Sequence, residues 1–442
     1  MRISINGITI LIILTASFFT SYFWFSDIDA IGLDADEVVW VVHSQFYRYR
    51  QQGKWEMFTT PQEFPDSYTW SSVNYQVIDQ PQLGKYIFGF ILDIFGKLSW
   101  EPQEKNWLYE EFPSSRIPGG QSLQSVTSVI GPDIVQAVLT MRYVSSYVGL
   151  VSLAMFGWIV MRCTNGFLGT LAAFTAAAYP LIRYNLRIAT TNSISLLFLI
   201  LTVIFMIHLL KNYKTMSGKK LIMFSLLLGI LNACAASIKL NGTFLVGFPV
   251  LYFTISWLFH RSRSGQRNRV ALLKREAIVL LIYLMSAFLM FFLLEPELWP
   301  EPVKGFVLLF EARLHQQDLF YKFFGKRSLM TMPLFLVQLL LPTSISSVFI
   351  IPLTLLLLLG IFGLLKRKQE NAHNALETGM LGYIILANTL YARIDFDGFS
   401  RYSIPSMLVM ILLLSIGVDT ITHRFMRGQK KNRGNDERFT LL

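Results

Sequence analysis

The stretch IATTNSISLLFLILTVIFMIHLL, residues 188–210, decides the fold class of this chain. It carries no Asp, Glu, Lys or Arg over a length that crosses the roughly 30 Å hydrocarbon core of a bilayer as one helix. It also lacks the apolar–polar alternation of a membrane β-barrel strand. Backbone polar groups in lipid must be satisfied inside a helix or a closed barrel, so the run predicts a transmembrane α-helix.

Similar apolar runs recur along a chain in which 53% of residues are hydrophobic and 15% are charged. We therefore predict an all-α polytopic membrane protein with about ten transmembrane helices, within a range of about 9–13. The first run is expected to be a retained helix rather than a cleaved signal peptide, because it is long enough to span and follows Arg2. The run at 328–343 is expected to be re-entrant or interfacial. The predicted spans are 4–25, 137–160, 167–182, 188–210, 220–236, 241–258, 277–294, 344–365, 377–392 and 402–420.

The net charge of +11 comes mainly from basic clusters between the apolar runs. Lys and Arg collect on the cytoplasmic side of membrane proteins, and an N-terminus inside places every cluster there. Nucleic-acid binding is disfavoured, because no basic soluble domain carries the charge. The two cysteines, Cys163 and Cys234, form neither a zinc spacing nor a disulfide framework.

This orientation divides the single predicted transmembrane domain, residues 1–442, into outer loops and a tail. Residues 26–135 form a long first extracytoplasmic loop, residues 296–330 a second one, and residues 421–442 a basic cytoplasmic tail. Within the first loop, 38–47 and 84–98 are predicted to be interfacial helices. Its Pro- and Gly-rich end, 101–132, is predicted to be a loop.

Asp36 and Glu37, just beyond the first apolar run, are the candidate catalytic carboxylates. A carboxylate at the membrane edge can remove the proton of an attacking hydroxyl, although solvated loop charge is the simpler alternative. A divalent metal ion is left open as a cofactor, because these carboxylates could bind one but no ligand spacing requires it. His43 is expected on the surface of a helix.

Cationic side chains on the predicted outer side form a candidate site for a donor phosphate. Lys85 opens an interfacial helix, where the helix N-terminus favours an anion, with a snorkelling lysine as the alternative. Lys239 lies between apolar residues, where a charge is costly and is functional or paired. The candidates are Lys85, Arg187, Lys239 and Arg401, supported by Arg183, Asn192 and Tyr402.

Six segments carry a family resemblance: Asp36-Glu37-Val38, QPQLGK (80–85), RIATTNS (187–193), SIKLNG (237–242), EPELWPEP (295–302) and RYSIP (401–405). They resemble, in order, motifs of the protein O-mannosyltransferases and related polyprenyl-phosphate-sugar transferases of the GT-C type. The last one resembles a motif of the wider group, which includes the lipid A aminoarabinose transferases. The chain departs from these motifs at Gln80, where the family has His, and at Asn192, where it has Asp.

The resemblance implies a membrane enzyme that transfers a sugar, with inversion, from a polyprenyl-phosphate donor to a protein, lipid or glycan acceptor. It implies that Asp36 is the base or orients the acceptor, and that Lys85, Arg187 and Lys239 face the lipid phosphate. The second outer loop is too short for a large inserted domain, and the chain has no endoplasmic-reticulum retrieval ending. Both features favour a bacterial or archaeal plasma membrane, with the site facing outward.

Two other classes of function stay open. A transporter or flippase for a lipid-linked or anionic solute would also use an intramembrane charge such as Lys239. Transporters more often show internal repeats, and none is visible here. A non-catalytic lipid-binding subunit would keep the fold while tolerating Gln80 and Asn192.

Overall fold

The computed structural model describes residues 22–58, 81–98, 120–260, 266–309, 311, 355–361 and 404–439. Within these ranges the chain is helical and contains no strand. The predicted all-α fold class is therefore confirmed for the described residues. Most of the predicted span 4–25, the runs 328–343 and 377–392, and the residues Gln80, Arg401 and Tyr402 lie outside the described residues.

The helices are connected by short turns over most of the described chain. Short 3₁₀ helices lie at Trp55–Phe58, Leu240–Thr243 and Pro296–Leu298. The α-helices are α1 Ala35–His43, α2 Gln45–Gln51, α3 Gln82–Ile94, α4 Leu123–Ile130, α5 Pro132–Cys163, α6 Gly166–Ala178, α7 Pro180–Arg187, α8 Asn192–Asn212, α9 Gly218–Ile238, α10 Phe244–His260, α11 Gln266–Leu294 and α12 Ile404–Phe439.

Four helices among the described residues are long and apolar enough to cross a membrane. They are α5, α8, α9 and the part of α11 from Val270 to Leu294. They coincide with the predicted spans 137–160, 188–210, 220–236 and 277–294. Shorter apolar helices lie at Gly166–Ala178, Leu245–Thr254 and Met407–Thr422. This pattern is compatible with an integral membrane protein.

The predicted span 167–182 is divided into two helices. Tyr179 has an extended backbone and ends α6, because a residue before proline is disfavoured in the helical region. Pro180 then begins α7, since proline suits the first turn of a helix. As a result, Arg183 and Arg187 lie on a short helix of their own.

The predicted loop 101–132 contains a helix, α4, in its described part. Ser122 caps this helix by accepting a hydrogen bond from the backbone N–H of Ser125. Gly131 ends it with a φ of 84°, a left-handed value that a side chain disfavours. The glycines and prolines of this segment therefore delimit a helix, and this part of the loop prediction is wrong.

The chain divides into two compact units. One comprises residues 1–152, 180–326 and 394–397, and the other comprises 153–179, 327–393 and 398–442. In the second unit α6 packs against α12, and Asn165 Nδ2 donates to Asp419 Oδ1 at 3.1 Å. Helix α12 continues to Phe439, through most of the segment predicted as a tail.

The first unit has an apolar core between the helices of the first loop and the long helices. Helix α3 lies very close to α2, and glycine at position 89 allows this approach. A Cβ at Gly89 would lie only 2.2 Å from the Tyr47 Cβ. A Cβ at Gly84 would approach Thr191 Cγ2 to 2.8 Å. These glycines hold α3 against its neighbours and so position Lys85. Core residues include Val38, Trp40, Phe88, Val126, Met141 and Ile194.

Candidate functional site

Glu37 is held in the interior of the first unit by a buried ion pair. Its carboxylate accepts hydrogen bonds from Arg142 Nε at 2.7 Å and Nη2 at 2.6 Å. The backbone N–H groups of Ala189 and Asp34 donate to the same carboxylate at 2.6 and 3.0 Å. Arg142 also donates to three carbonyl groups of the turn 28–32. Glu37 therefore ties α1 to α5 and to the segment after α7.

Asp36 lies beside Glu37 in the first turn of α1 and is partly exposed. Asp34 caps this helix: its side chain accepts from the Asp36 N–H at 3.0 Å, and Glu37 accepts from the Asp34 N–H. This capping box fixes the backbone of the acidic pair. Tyr184 of α7 donates to the other Asp34 oxygen at 3.3 Å. The position of Asp36 is therefore fixed while its side chain keeps access to solvent.

Lys239 and Asn192, predicted as parts of one site, come together. Lys239 Nζ donates to Asn192 Oδ1, and Asn192 Nδ2 donates to the Asn185 carbonyl at 3.3 Å. Lys239 follows the last residue of α9, and the chain then folds back at Gly242. A Cβ at Gly242 would lie 2.5 Å from the Ala235 carbonyl carbon, so this tight return needs glycine.

Arg183 and Arg187, on α7, bind the same carboxylate. Arg183 Nη2 donates to Asp27 Oδ1 at 2.9 Å, and Arg187 Nη2 donates to the same oxygen. Arg187 is buried, whereas the Asp27 side chain is 49% exposed. Partial burial alone would raise the pKa of Asp27, but the hydrogen bond and charge of Arg187, with the charge of Arg183, lower it. Asp27 is therefore an ionised counter-charge for both arginines.

Lys85 is fully buried among aromatic rings. Its Nζ lies 4.8 Å from the centroid of the Phe46 ring, a cation–π distance. Phe58 packs against Phe46 and Tyr86, with ring centroids 5.5 and 6.4 Å apart. A snorkelling lysine would keep its ammonium group in water, so the alternative given by the sequence does not describe this residue.

Glu295 and Glu297, expected in an outer loop, are buried next to each other at the end of α11. The backbone N–H of Gln82 donates to Glu295 Oε2 at 3.0 Å, which joins this segment to the first turn of α3. Burial raises the pKa of both carboxyl groups, and the charge of Glu297 raises the pKa of Glu295 further. The charge of Lys85 offsets part of the rise in the pKa of Glu297. Such a pair retains a shared proton above the pH at which exposed glutamates ionise.

The prediction that His43 lies on a helix surface is wrong. His43 is 1% exposed, because the whole stretch 40–46 is covered by the core and by α3. Its ring lies edge-on to Trp40 and Phe46, at 6.3 Å from each. Neither ring nitrogen has a hydrogen-bond partner among the described residues. Burial lowers the pKa of His43 well below 6.5, and the charge of Lys85 lowers it further.

The burial of neutral His43 predicts a pH-dependent stability. In the unfolded chain the imidazole binds a proton near pH 6.5, whereas the folded chain binds it only at lower pH. Below about pH 6.5 the unfolded state therefore binds more protons than the folded state. As the pH is lowered through this range, the free energy of unfolding decreases by up to about 1.4 kcal/mol per pH unit. We expect His43→Phe to remove this contribution to thermal unfolding in detergent.

The carboxyl pair acts in the opposite sense, because its raised pKa values cost stability as the pH increases. The contribution of His43 is therefore obtained by comparing how the thermal midpoint changes between about pH 6.5 and pH 5 in wild type and in His43→Phe. Identical pH dependence in the two proteins would contradict the burial of a neutral imidazole.

The divalent metal ion considered for Asp36 and Glu37 does not fit Glu37. Each oxygen of Glu37 already accepts one hydrogen bond from Arg142 and one from a backbone N–H. Throughout the part of the chain that the structure describes, no group of three or more His, Cys, Asp or Glu side chains could hold a metal ion.

Three partners in this region were not predicted from the sequence. Arg142 lies inside the predicted span 137–160, and a charge at that depth was the available signal. Asp27, which pairs with both arginines, lies among ordinary loop charges and lacked such a signal. Glu295 and Glu297 belong to the motif segment EPELWPEP, but the resemblance did not indicate that they form a buried pair. Five of the six motif segments belong to the first unit, and the described part of RYSIP, residues 404–405, belongs to the second.

Comparison with known proteins adds no family, since no protein-family model and no curated protein matches this chain. The function is therefore inferred from the residues of the site and from the motif resemblance described above.

Proposed function

We propose that this chain is an integral membrane glycosyltransferase of the GT-C type. It would move a sugar from a polyprenyl-phosphate donor to a protein, lipid or glycan acceptor on the extracytoplasmic face. The supporting observation is that motif segments far apart in sequence meet around residues 188–192. Glu37 accepts from the Ala189 N–H, Gly84 packs on Thr191, and Asn192 accepts from Lys239.

In this proposal Asp36 is the catalytic base. Its carboxylate takes the proton of the acceptor hydroxyl while that oxygen bonds to the anomeric carbon of the sugar. The bond from the anomeric carbon to the phosphate oxygen breaks at the opposite face, so the configuration inverts and polyprenyl phosphate leaves. Glu37, predicted as a second catalytic carboxylate, has a positioning role in this scheme, because Arg142 and two N–H groups occupy its oxygens.

The donor phosphate would be bound by cations from several segments. Preorganised positive charge stabilises a departing phosphate better than mobile solvent does. Lys85, Lys239 and Arg187 are the proposed contacts, whereas Arg401 lies outside the described residues. Arg187 would exchange part of its contact with Asp27 for the phosphate, and Arg183 would retain Asp27. Asn192 orients Lys239 by accepting a hydrogen bond from its ammonium group.

The membrane arrangement that completes the proposal has about ten spans, with interfacial helices in the first outer loop. The basic clusters between the apolar runs support an N-terminus inside and a site that faces outward. A bacterial or archaeal plasma membrane is the proposed location. The short second outer loop, residues 296–330, supports that choice.

Sugar release by the purified protein in detergent tests the proposal. A panel of radiolabelled polyprenyl-phosphate sugars is incubated with wild-type protein, with and without crude acceptor membranes, and free polyprenyl phosphate is quantified. Time-dependent release from one donor is the expected result. Lipid binding without release from any donor would contradict the enzyme and favour a binding subunit. Solute movement into proteoliposomes without a covalent product would favour the transporter.

A further inference from the structure

The turn that begins at Lys239 is tied back to the preceding helix by a buried amide. Asn232, on α9, donates from its Nδ2 to the Gly242 carbonyl at 3.1 Å. The Gly242 N–H donates to the Lys239 carbonyl at 2.9 Å, and the Lys239 N–H donates to the Ala235 carbonyl at 3.2 Å. Both ends of the turn are therefore held, one by the helix backbone and the other by the Asn232 side chain.

A tyrosine of a neighbouring helix fixes the orientation of that amide. The Tyr283 hydroxyl, on α11, donates to Asn232 Oδ1 at 3.0 Å. Tyr283 is 1% exposed, and Asn232 is fully buried. Because the amide oxygen accepts from Tyr283, the NH2 group on the other branch of the amide faces the Gly242 carbonyl. We call this chain of hydrogen bonds, Tyr283–Asn232–Gly242, the Lys239 brace.

Glycine at position 229 brings the two helices close together beside the brace. A Cβ at Gly229 would lie 1.9 Å from Ser286 Oγ and 2.6 Å from the Tyr283 carbonyl oxygen. Gly229 and Asn232 are three residues apart on α9 and so lie on the same face of the helix. The brace therefore lies at a tightly packed contact of α9 with α11, which restricts the movement of Tyr283 relative to Asn232.

The brace does more than join two helices. A polar pair that only linked α9 to α11 would need no partner beyond its two side chains. Here the Asn232 NH2 group also binds the backbone of the turn, at Gly242. On the other side, Lys239 Nζ donates to Asn192 Oδ1 of α8. The ammonium group is thus held through its side chain by α8 and through its backbone by the brace.

We propose that Asn232 and Tyr283 are positioning residues, which fix Lys239 at the phosphate of the polyprenyl-phosphate donor without contacting the donor themselves. This inference rests on the proposed function, in which Lys239 binds that phosphate. Charges that are fixed before the ligand arrives bind and stabilise a phosphate most effectively. Without the brace, the turn has to be ordered when the phosphate binds, and the entropy lost in ordering it opposes binding.

Removal of one oxygen atom from the brace tests the assignment. Tyr283→Phe keeps the ring and deletes the hydroxyl that binds Asn232. Asn232→Leu, of similar size, is the second variant. Tyr213→Phe is the matched control, because the buried Tyr213 hydroxyl also binds a residue of α11, donating to Glu276 Oε1 at 2.6 Å, but lies outside the brace. Affinity for bare polyprenyl phosphate and the thermal midpoint are measured for each purified protein in detergent.

Tyr283→Phe and Asn232→Leu are each expected to bind bare polyprenyl phosphate about threefold to tenfold more weakly than wild type, the usual effect of one lost hydrogen bond. Each is then combined with Lys239→Met, which removes the ammonium group. In that background neither should weaken binding further, because the brace acts through Lys239. Tyr213→Phe should lower the thermal midpoint and keep the wild-type affinity.

Unchanged affinity in Tyr283→Phe, or an equal loss with and without the Lys239 ammonium group, would overturn the positioning role and leave the proposed function intact. A loss in Tyr213→Phe as large as that in Tyr283→Phe would also overturn it, since the loss would then follow from stability alone. Wild-type affinity in Lys239→Met would overturn it too, because Lys239 would then not bind the phosphate. A wild-type protein that binds no polyprenyl phosphate would refute the proposed function, and the inference with it.

Discussion

Replacement of Arg142 by methionine is expected to lower the free energy of unfolding by about 3–5 kcal/mol, the usual cost of breaking a buried ion pair. The guanidinium supplies two of the four hydrogen bonds to the Glu37 carboxylate and also binds three carbonyl groups of the turn 28–32. Methionine keeps much of the length and the apolar stem, so the change isolates the lost charge. Chemical unfolding in detergent, followed by tryptophan fluorescence, measures the effect.

The matched control is Arg162→Met, at the last turn of the same helix, where the arginine lies over the Trp158 ring. Only a small change is expected there, since an exposed or partly exposed charge contributes about 0–1 kcal/mol. The double variant Glu37→Gln with Arg142→Met should recover part of the lost stability, because no uncompensated charge stays buried. Similar losses for Arg142→Met and Arg162→Met would contradict the central role of the Glu37–Arg142 pair.

Replacement of Asp36 by asparagine is expected to slow sugar transfer by about 10²–10⁴-fold, the usual contribution of a general base. Asparagine has nearly the same shape but cannot take the proton of the acceptor hydroxyl. Stability should change by no more than about 1 kcal/mol, because Asp34 caps α1 and the Asp36 side chain is partly exposed. Single-turnover sugar transfer measures the chemical step.

Asp29→Asn is the matched control, since Asp29 is an exposed carboxylate in the preceding turn. It should transfer sugar at the wild-type rate. Glu37→Gln distinguishes the two members of the acidic pair: it should reduce stability and transfer together, whereas Asp36→Asn should reduce transfer alone. Normal turnover by Asp36→Asn would remove Asp36 from the catalytic role.

The sequence predicts the long helices and part of the site because these depend on local pattern. The run 188–210 is apolar over the length of a span, and the helix found is Asn192–Asn212. Lys239 and Asn192 were predicted as members of one site from the resemblance of their segments, and their side chains are in contact. The break at Tyr179 and Pro180 was missed, although the pre-proline restriction was visible in the sequence.

Other features depend on contacts that no local pattern contains. Glu295 and Glu297 are read from the sequence as loop charges, yet they are buried beneath the first loop near Lys85. His43 is the last residue of α1, a short apolar helix whose sequence pattern does not indicate how many of its sides are covered. Arg142 could be located as an intramembrane charge, but its partner Glu37 lies far away in the chain. Such pairings follow from tertiary packing rather than from composition.

The distance along the chain between these partners has a consequence for biosynthesis. Glu37 contacts Arg142 at a sequence separation of 105 residues and Ala189 at 152 residues, and Gln82 contacts Glu295 at 213 residues. A chain emerging from the ribosome can therefore anchor α1 as soon as α5 and α7 have been made, but cannot join α3 to the Glu295–Glu297 pair until α11 has been made. Nascent chains arrested before residue 295 should already protect the first turn of α1 from protease while leaving Gln82 and Lys85 accessible. The segment from α1 to α3 would thus mature in two stages, and the stage that brings the carboxyl pair to Lys85 would come last.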